Sequence, residues 1–161
     1  MSRHCTPTLF TLGYQRRDLD EFLTLLTNAS VDVLLDVRET AWSHKRGFSK
    51  TALAGALGSE GIEYIHASFA GNPKHLRRRA ETHLECLQLY DRHLGMNGLI
   101  LEALDELIGQ LLDVGKRVCL MCYERHPDDC HRGLLASRWQ AGLHREIEHL
   151  GADETCRLID S

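Results

Sequence analysis

Two rhythms of apolar and polar positions alternate along the chain. Leu19, Phe22, Leu23 and Leu26 recur at i, i+3, i+4 and i+7, the stripe of an amphipathic helix. Asp18 can cap that helix, with Glu21 three residues on in a capping-box arrangement. The flanking segments PTLFTLG (7–13) and VDVLLDVR (31–38) are β-rich. The second is nearly continuous in apolar residues, as a strand covered on both faces of a parallel sheet must be. A short helix is predicted from about Ser49, with Leu53 and Leu57 one turn apart and Gly58 or Gly61 as its stop. IEYIH (62–66) reads as a third strand.

The same reading predicts one basic-fronted helix over residues 74–94, with Leu76, Ala80, Leu84 and Leu87 inward. A further helix spans 99–114, where Leu101, Leu104, Ile108 and Leu111 face the core and Gly115 ends it. RVCLMC (117–122) is a fourth strand, a helix follows from about Asp129 to Leu143, and IEHL (147–150) is a last strand. This alternation predicts an α/β fold in three layers: a mostly parallel sheet with helices on both faces. Residues 1–161 show no linker, repeat or low-complexity segment and read as a single domain.

Composition narrows the function classes. With 43% hydrophobic and 26% charged residues the chain reads as an ordinary globular protein, long enough to bury roughly 70% of its unfolded surface. Its net charge of −4 supplies no global attraction to nucleic acid or anionic lipid, so affinity for an anion must come from local clusters. No apolar stretch approaches the ~20 residues that cross a bilayer, so no membrane association is expected. MSRHCTPTLF has no apolar core of signal-peptide length, which predicts a cytoplasmic protein. The six cysteines accordingly read as reduced thiols, with Cys5, Cys86 and Cys156 as isolated, buried small hydrophobes.

In open α/β sheets ligands bind beyond the carboxyl ends of the strands, and those ends are unusually polar here. Strand one runs into Tyr14 and Arg17, strand two ends in Asp36 and Arg38, and strand three ends in His66. Strand four ends in Cys122 and Glu124, ahead of Cys130, His131 and Arg132. Asp36 and Arg38 are two apart on a strand and share a face, whereas Cys119 and Cys122 point to opposite faces. That argues against CLMC as a zinc knuckle or dithiol and places Cys119 in the core. HPDDCHRGLL resembles a helix start, with Pro127 at entry and Asp128 or Asp129 as cap. Cys130, His131 and Arg132 would then occupy the first turn, where free N–H groups favour an anion or a thiolate.

Four segments carry a family likeness: TLGYQRRDLDEF, LLDVRETAWSHKRGFSK, GIEYIHASFAG and LMCYERHPDDCHR. Over nearly its whole length the chain resembles the family catalogued as domain of unknown function 488. The resemblance implies polar site positions at Tyr14, Arg17, Asp36, Arg38 and Lys50. It implies a second group at His66, Cys122, Glu124, Cys130, His131 and Arg132. The chain departs from the family at Gln15, where a small hydroxyl residue is common. Ala41-Trp42-Ser43 replaces a proline-bearing turn, and Phe69-Ala70-Gly71 replaces Leu-Gly-Gly. The family implies a shared site without an agreed reaction or cofactor.

Three functional readings follow. The first is an enzyme or binder acting on an anionic, nucleotide-like or phosphorylated ligand. Arg17, Arg38, Lys50 and Arg132 would neutralise charge; Tyr14, Asp36 and His131 would complete the binding site. Glu124 and His66 would transfer protons, with Cys122 or Cys130 as nucleophile. The Cys-x5-Arg loop of thiol phosphatases is absent, since Asp128 and Ala136 stand six residues after Cys122 and Cys130. The second reading is nucleic-acid binding or processing through KRGFSK (45–50) and PKHLRRR (73–79), with Trp42 and Phe48 stacking on bases. The third is a metal or redox-sensing site built from Cys122, Cys130 and His131, with Glu124 chemically able to join them. Helix 99–114 also leaves amphipathic surface on which a second copy could pair as a homodimer.

Overall fold

The computed structural model describes residues 9–143 and 147–151. Five strands form one sheet: β1 (Leu9–Gly13), β2 (Val33–Asp36), β3 (Glu63–His66), β4 (Val118–Cys122) and β5 (Ile147–His149). Their order is β3-β2-β4-β1-β5, and every pairing is parallel. The helices are α1 (Leu19–Asn28), α2 (Lys50–Ser59), α3 (Lys74–Arg79), α4 (His83–Met96), α5 (Gly98–Asp113) and α6 (His131–Leu143). No helix among the described residues is long and apolar enough to cross a membrane.

The two-residue period of the strands sorts the core into two halves. Phe10, Leu12, Leu34, Cys119 and Met121 point to one face, where Phe22 and Leu26 of α1 and Leu53 and Leu57 of α2 cover them. Leu9, Val33, Leu35, Val118 and Leu120 point to the other, against Tyr90 and Leu94 of α4, Leu104 and Ile108 of α5 and Leu135 of α6. The expected three-layer α/β architecture is therefore present. Neighbouring strands β2 and β4 send their chains to opposite layers, so the loops beyond their carboxyl ends diverge and leave a crevice.

The single helix expected over 74–94 is two. Ala80 turns extended (φ −69°, ψ 132°), and Thr82 starts a new helix by accepting the Glu85 N–H at 3.0 Å. The Glu85 carboxylate in turn accepts the Glu81 N–H at 2.8 Å, a near capping box. Restarting the helix resets its phase. Tyr90 and Leu94 become the buried positions, while Leu84 is left 65% exposed. Thr82→Ala is expected to cost about 1 kcal/mol in urea unfolding; an unchanged midpoint would mean the cap contributes nothing.

Candidate functional site

The crevice is framed by backbone pairing that continues past the strand ends. Tyr14 N–H donates to Cys122 O at 3.2 Å, Gln15 N–H to Tyr123 O at 2.8 Å, and Val37 N–H to Met121 O at 3.1 Å. After β4 the chain makes a 3-10 turn at Pro127–Asp129, and Cys130 is extended (φ −124°, ψ 144°) before α6 begins at His131. The helix therefore starts two residues later than the expected Asp129: Asp128 and Asp129 belong to the 3-10 turn rather than capping α6, and Cys130 stands just outside the helix instead of in its first turn. Arg132, fully buried, donates from Nη1 to Glu124 O at 2.5 Å and from Nη2 to Arg125 O at 3.2 Å, stapling the loop to the helix start. Gly13 is required beneath this loop, because a Cβ there would overlap the Glu124 carbonyl.

Four reactive side chains meet at the crevice floor. Cys122 Sγ lies 3.3 Å from His131 Nδ1 and 3.9 Å from Glu124 Oε2, and Cys130 Sγ lies 3.9 Å from His131 Nδ1. The ligating atoms of all four residues fall within 4.8 Å of one another. His131 Nε2 is 2.9 Å from Val37 O. A carbonyl only accepts, so Nε2 carries the hydrogen; Nδ1 is the ring nitrogen nearer to both sulfurs, although Cys122 Sγ also lies 3.5 Å from Nε2. Tyr90 packs edge-on against the imidazole at 5.1 Å, its hydroxyl anchored on Ala70 O at 2.6 Å.

Burial sets the electrostatics. It pushes the Cys122 thiol up, helped by the hydrogen bond and charge of Cys130 and by the charge of Glu124. It opposes ionisation of Cys130 too. There the Cys122 S–H, the His131 imidazolium and the Arg132 guanidinium outweigh it and hold that thiol well below its usual value. The Glu124 carboxyl is pushed up to about 8, first by burial and then by the Cys130 charge. For His131 burial lowers the value, but the Cys130 charge and hydrogen bond reverse the sign. The cluster thus sets its two thiols apart, raising Cys122 and lowering Cys130, with His131 raised beside the latter.

The floor opens into a cleft of ≈ 470 Å³ whose walls carry Arg38, Lys74 and Arg77, with Trp42 and Tyr123 at its edge. Arg38 is held in place by Asp36, bonded from Nε at 2.9 Å and from Nη2 at 2.7 Å, and by the Tyr14 hydroxyl at 3.2 Å. Arg77 bonds Asn72 O and Glu39 Oε2, each at 3.1 Å. Asn72, 7% exposed, donates to Cys86 Sγ at 3.3 Å, yet its Oδ1 is buried without a hydrogen-bond partner. Cys86 is half-buried at this wall, and Cys5 and Cys156 lie outside the described residues.

The sequence-derived residues divide into groups. Tyr14, Arg38, Cys122, Glu124 and His131 line the cleft, and Cys130 lies directly beneath them. His66 supports the wall indirectly, its Nε2 2.7 Å from Arg38 O, and Asp36 is wholly buried under Arg38. Arg17 is instead a latch, donating to Gly13 O and Gly151 O at 3.0 Å and to Glu21 at 3.2 Å. Lys50 is the exposed first residue of α2, and Arg132 faces backbone; neither lines the cleft. Phe48 cannot stack on a base, because it is fully buried against Tyr14 with ring centroids 4.5 Å apart. Trp42 remains 58% exposed. Asn72, Lys74 and Arg77 come from the β3–α4 connection, and Tyr90 from the middle of α4. Lys74 and Arg77 belong to the basic stretch PKHLRRR, whereas nothing in the local pattern marks Asn72 or Tyr90 as pocket residues.

A family model described as "Domain of unknown function DUF488" matches residues 18–139. Comparison with curated proteins and with solved structures gives no significant match.

Proposed function

Because the chain belongs to the DUF488 family, whose description carries no activity, we propose its function from the cleft itself: an enzyme that binds a small anionic ligand and acts on it with the Cys122 thiol. One observation carries this reading. Val37 O fixes the tautomer of His131, whose Nδ1 lies 3.3 Å and Nε2 3.5 Å from Cys122 Sγ, on the floor of a cleft lined by Lys74, by Arg38 paired with Asp36 and by Arg77 paired with Glu39. In that geometry the Cys122 thiol proton passes to Cys130, whose charge the His131 imidazolium balances, and the Cys122 sulfur attacks an electrophilic atom of the ligand. Glu124, 3.9 Å from the sulfur, is placed to protonate the leaving group. Lys74, Arg77 and Arg38 hold the anionic part. The unpartnered Asn72 Oδ1 asks for a ligand hydrogen-bond donor, and Trp42 and Tyr123 offer flat faces, which together favour a nucleotide-like molecule over bare phosphate.

A polynucleotide is the second reading, favoured by a neighbouring cleft that shares Trp42 and Tyr123 and adds Arg16 and Lys45. Stacking on exposed rings beside a cationic track is how single strands are held.

The test is a panel of nucleoside phosphates, sugar phosphates and a short single-stranded oligonucleotide, scored by thermal shift and titration. A phosphorylated small molecule is expected to bind, and to slow alkylation of Cys122. In the Lys74→Ala/Arg77→Ala double variant affinity should drop tenfold or more, about 1.4 kcal/mol or greater. Undiminished binding by that variant sinks the reading. Binding of the oligonucleotide alone, falling steeply with salt, selects the second one.

A further inference from the structure

We propose that Cys122, Glu124, Cys130 and His131 together form the binding site of one divalent metal ion of the zinc class. The inference rests on the cleft reading above and deepens it: the ion, in place of proton transfer within the cluster, would keep Cys122 as the thiolate that attacks the ligand, and Glu124 would act on the leaving group only once displaced from the ion.

The donor geometry is the first argument. Sulfur and nitrogen ligands 2.0–2.3 Å from a tetrahedral ion stand about 3.3–3.8 Å from one another. The separations found are 3.3 Å for Cys122–His131 and 3.9 Å for both Cys130–His131 and Cys122–Glu124. No pair of the four donors is more than 4.8 Å apart, so side-chain movements of about an ångström bring them into that range. The second argument is the support around the donors. A ligating histidine usually gives its other N–H to a carbonyl, and His131 gives Nε2–H to Val37 O at 2.9 Å, leaving Nδ1 as donor. Cys122 is the last residue of β4 and thus rigid. Glu124 is held through its own carbonyl by Arg132.

Donor chemistry narrows the ion. Two sulfurs, one imidazole and one carboxylate suit zinc or a neighbouring transition metal and reject magnesium and calcium, which take oxygen shells. The sequence spacing, Cys-x-Glu-x5-Cys-His, belongs to no common closed-site pattern, because the ligands come from a strand end and a helix start that only the fold unites. On binding, the donors release to solvent the protons they hold at Cys122, at His131 Nδ1 and at Glu124, and the metal keeps its oxidation state. Glu124 is the one ligand of the four that is not almost wholly buried. It is the ligand a substrate oxygen or water would displace, which opens a coordination position toward the cleft.

The test uses the full chain produced without a metal-affinity tag. Elemental analysis after equilibration with micromolar zinc should give about one equivalent per chain. Stripped protein titrated with cobalt(II) should show thiolate-to-cobalt charge transfer and the strong visible bands of a tetrahedral site. Cys122→Ser and Cys130→Ser should each lower cobalt affinity by roughly 100-fold or more, while Cys86→Ser, at the cleft wall but outside the cluster, leaves it unchanged. Should the serine variants fail to fold, the wild type still decides: alkylation mapping must find Cys122 and Cys130 protected with metal and exposed without it. No stoichiometric ion, a cobalt spectrum without sulfur bands, or equal alkylation in both states overturns the proposal. A protein that takes up the ion but binds no phosphorylated probe keeps this inference and loses the reading of the cleft. Binding of the probe without any ion has the opposite meaning.

Discussion

Asp36→Asn should cost about 3–5 kcal/mol of folding stability, because it strands a buried guanidinium. Asp36 is wholly buried, and its carboxylate serves two side chains and a backbone group. Arg38 donates to it from Nε, Nη2 and the main-chain N–H at 2.9, 2.7 and 3.1 Å, and the Tyr64 hydroxyl donates at 2.6 Å. Burial works against the Arg38 charge, and the paired carboxylate more than offsets it, so the guanidinium pKa is raised. An amide keeps the shape but loses the charge and turns one acceptor into a donor aimed at donors. The check is urea unfolding of Asp36→Asn, Arg38→Met and the double variant Asp36→Leu/Arg38→Met. The double is expected to be closer to wild type than the sum of two unpaired losses, since an apolar pair leaves no buried charge. A loss below about 1 kcal/mol for Asp36→Asn would show that water reaches the pair and that burial has been overstated. Since Arg38 also lines the cleft, the same substitution should weaken anion binding in whatever protein remains folded.

Arg132→Met is the second large effect, expected at roughly 3 kcal/mol from two part-buried carbonyls losing a fully buried, charged donor. Arg132 is long enough to reach Glu124 O and Arg125 O together, and its planar fork meets both. Lysine offers a compact charge on a flexible stem and cannot span two carbonyls in that way. Arg132→Lys should therefore recover less than half of the loss. Beyond stability, the methionine variant should release the loop after β4, seen as faster amide exchange over residues 123–126. If instead the variant is as stable as wild type yet no longer binds an anion, Arg132 is a ligand-contacting residue and its role as a staple is wrong.

Much of this was legible along the chain, for reasons that can be named. Cys119 and Cys122 were separated correctly because a pleated strand has no freedom in which face a residue takes. One points to Phe10 and Leu34, the other to Tyr90. The break at residues 80–82 is hidden from the apolar period, although Thr82 and Glu85 form a readable start signal. Leu76, Ala80, Leu84 and Leu87 satisfy a helical period across the break, and the period alone prevailed. The candidate site was legible as a place and only partly as a list. Tyr14, Arg38, Cys122, Glu124 and His131 stand at strand ends or just beyond, where position along the strand already decides the rim. Arg17 and Arg132 stand there too, but they turn to backbone carbonyls. Arginine is suited both to bind an anion and to staple a chain, so residue type could not separate those roles.

From order and period alone came the parallel α/β layout, the rim on which polar loops gather, and the face each strand residue presents. These are local properties, fixed by repeat lengths of 2.0 and 3.6 residues. Depth and partnership were decided only in three dimensions. Asn72 reaches the cleft from the far connection, Val37 O selects the tautomer of His131, and Gly13 lets the Glu124 carbonyl come close. Each of these is a contact between segments distant in the chain, and no periodicity within either segment encodes the other's approach.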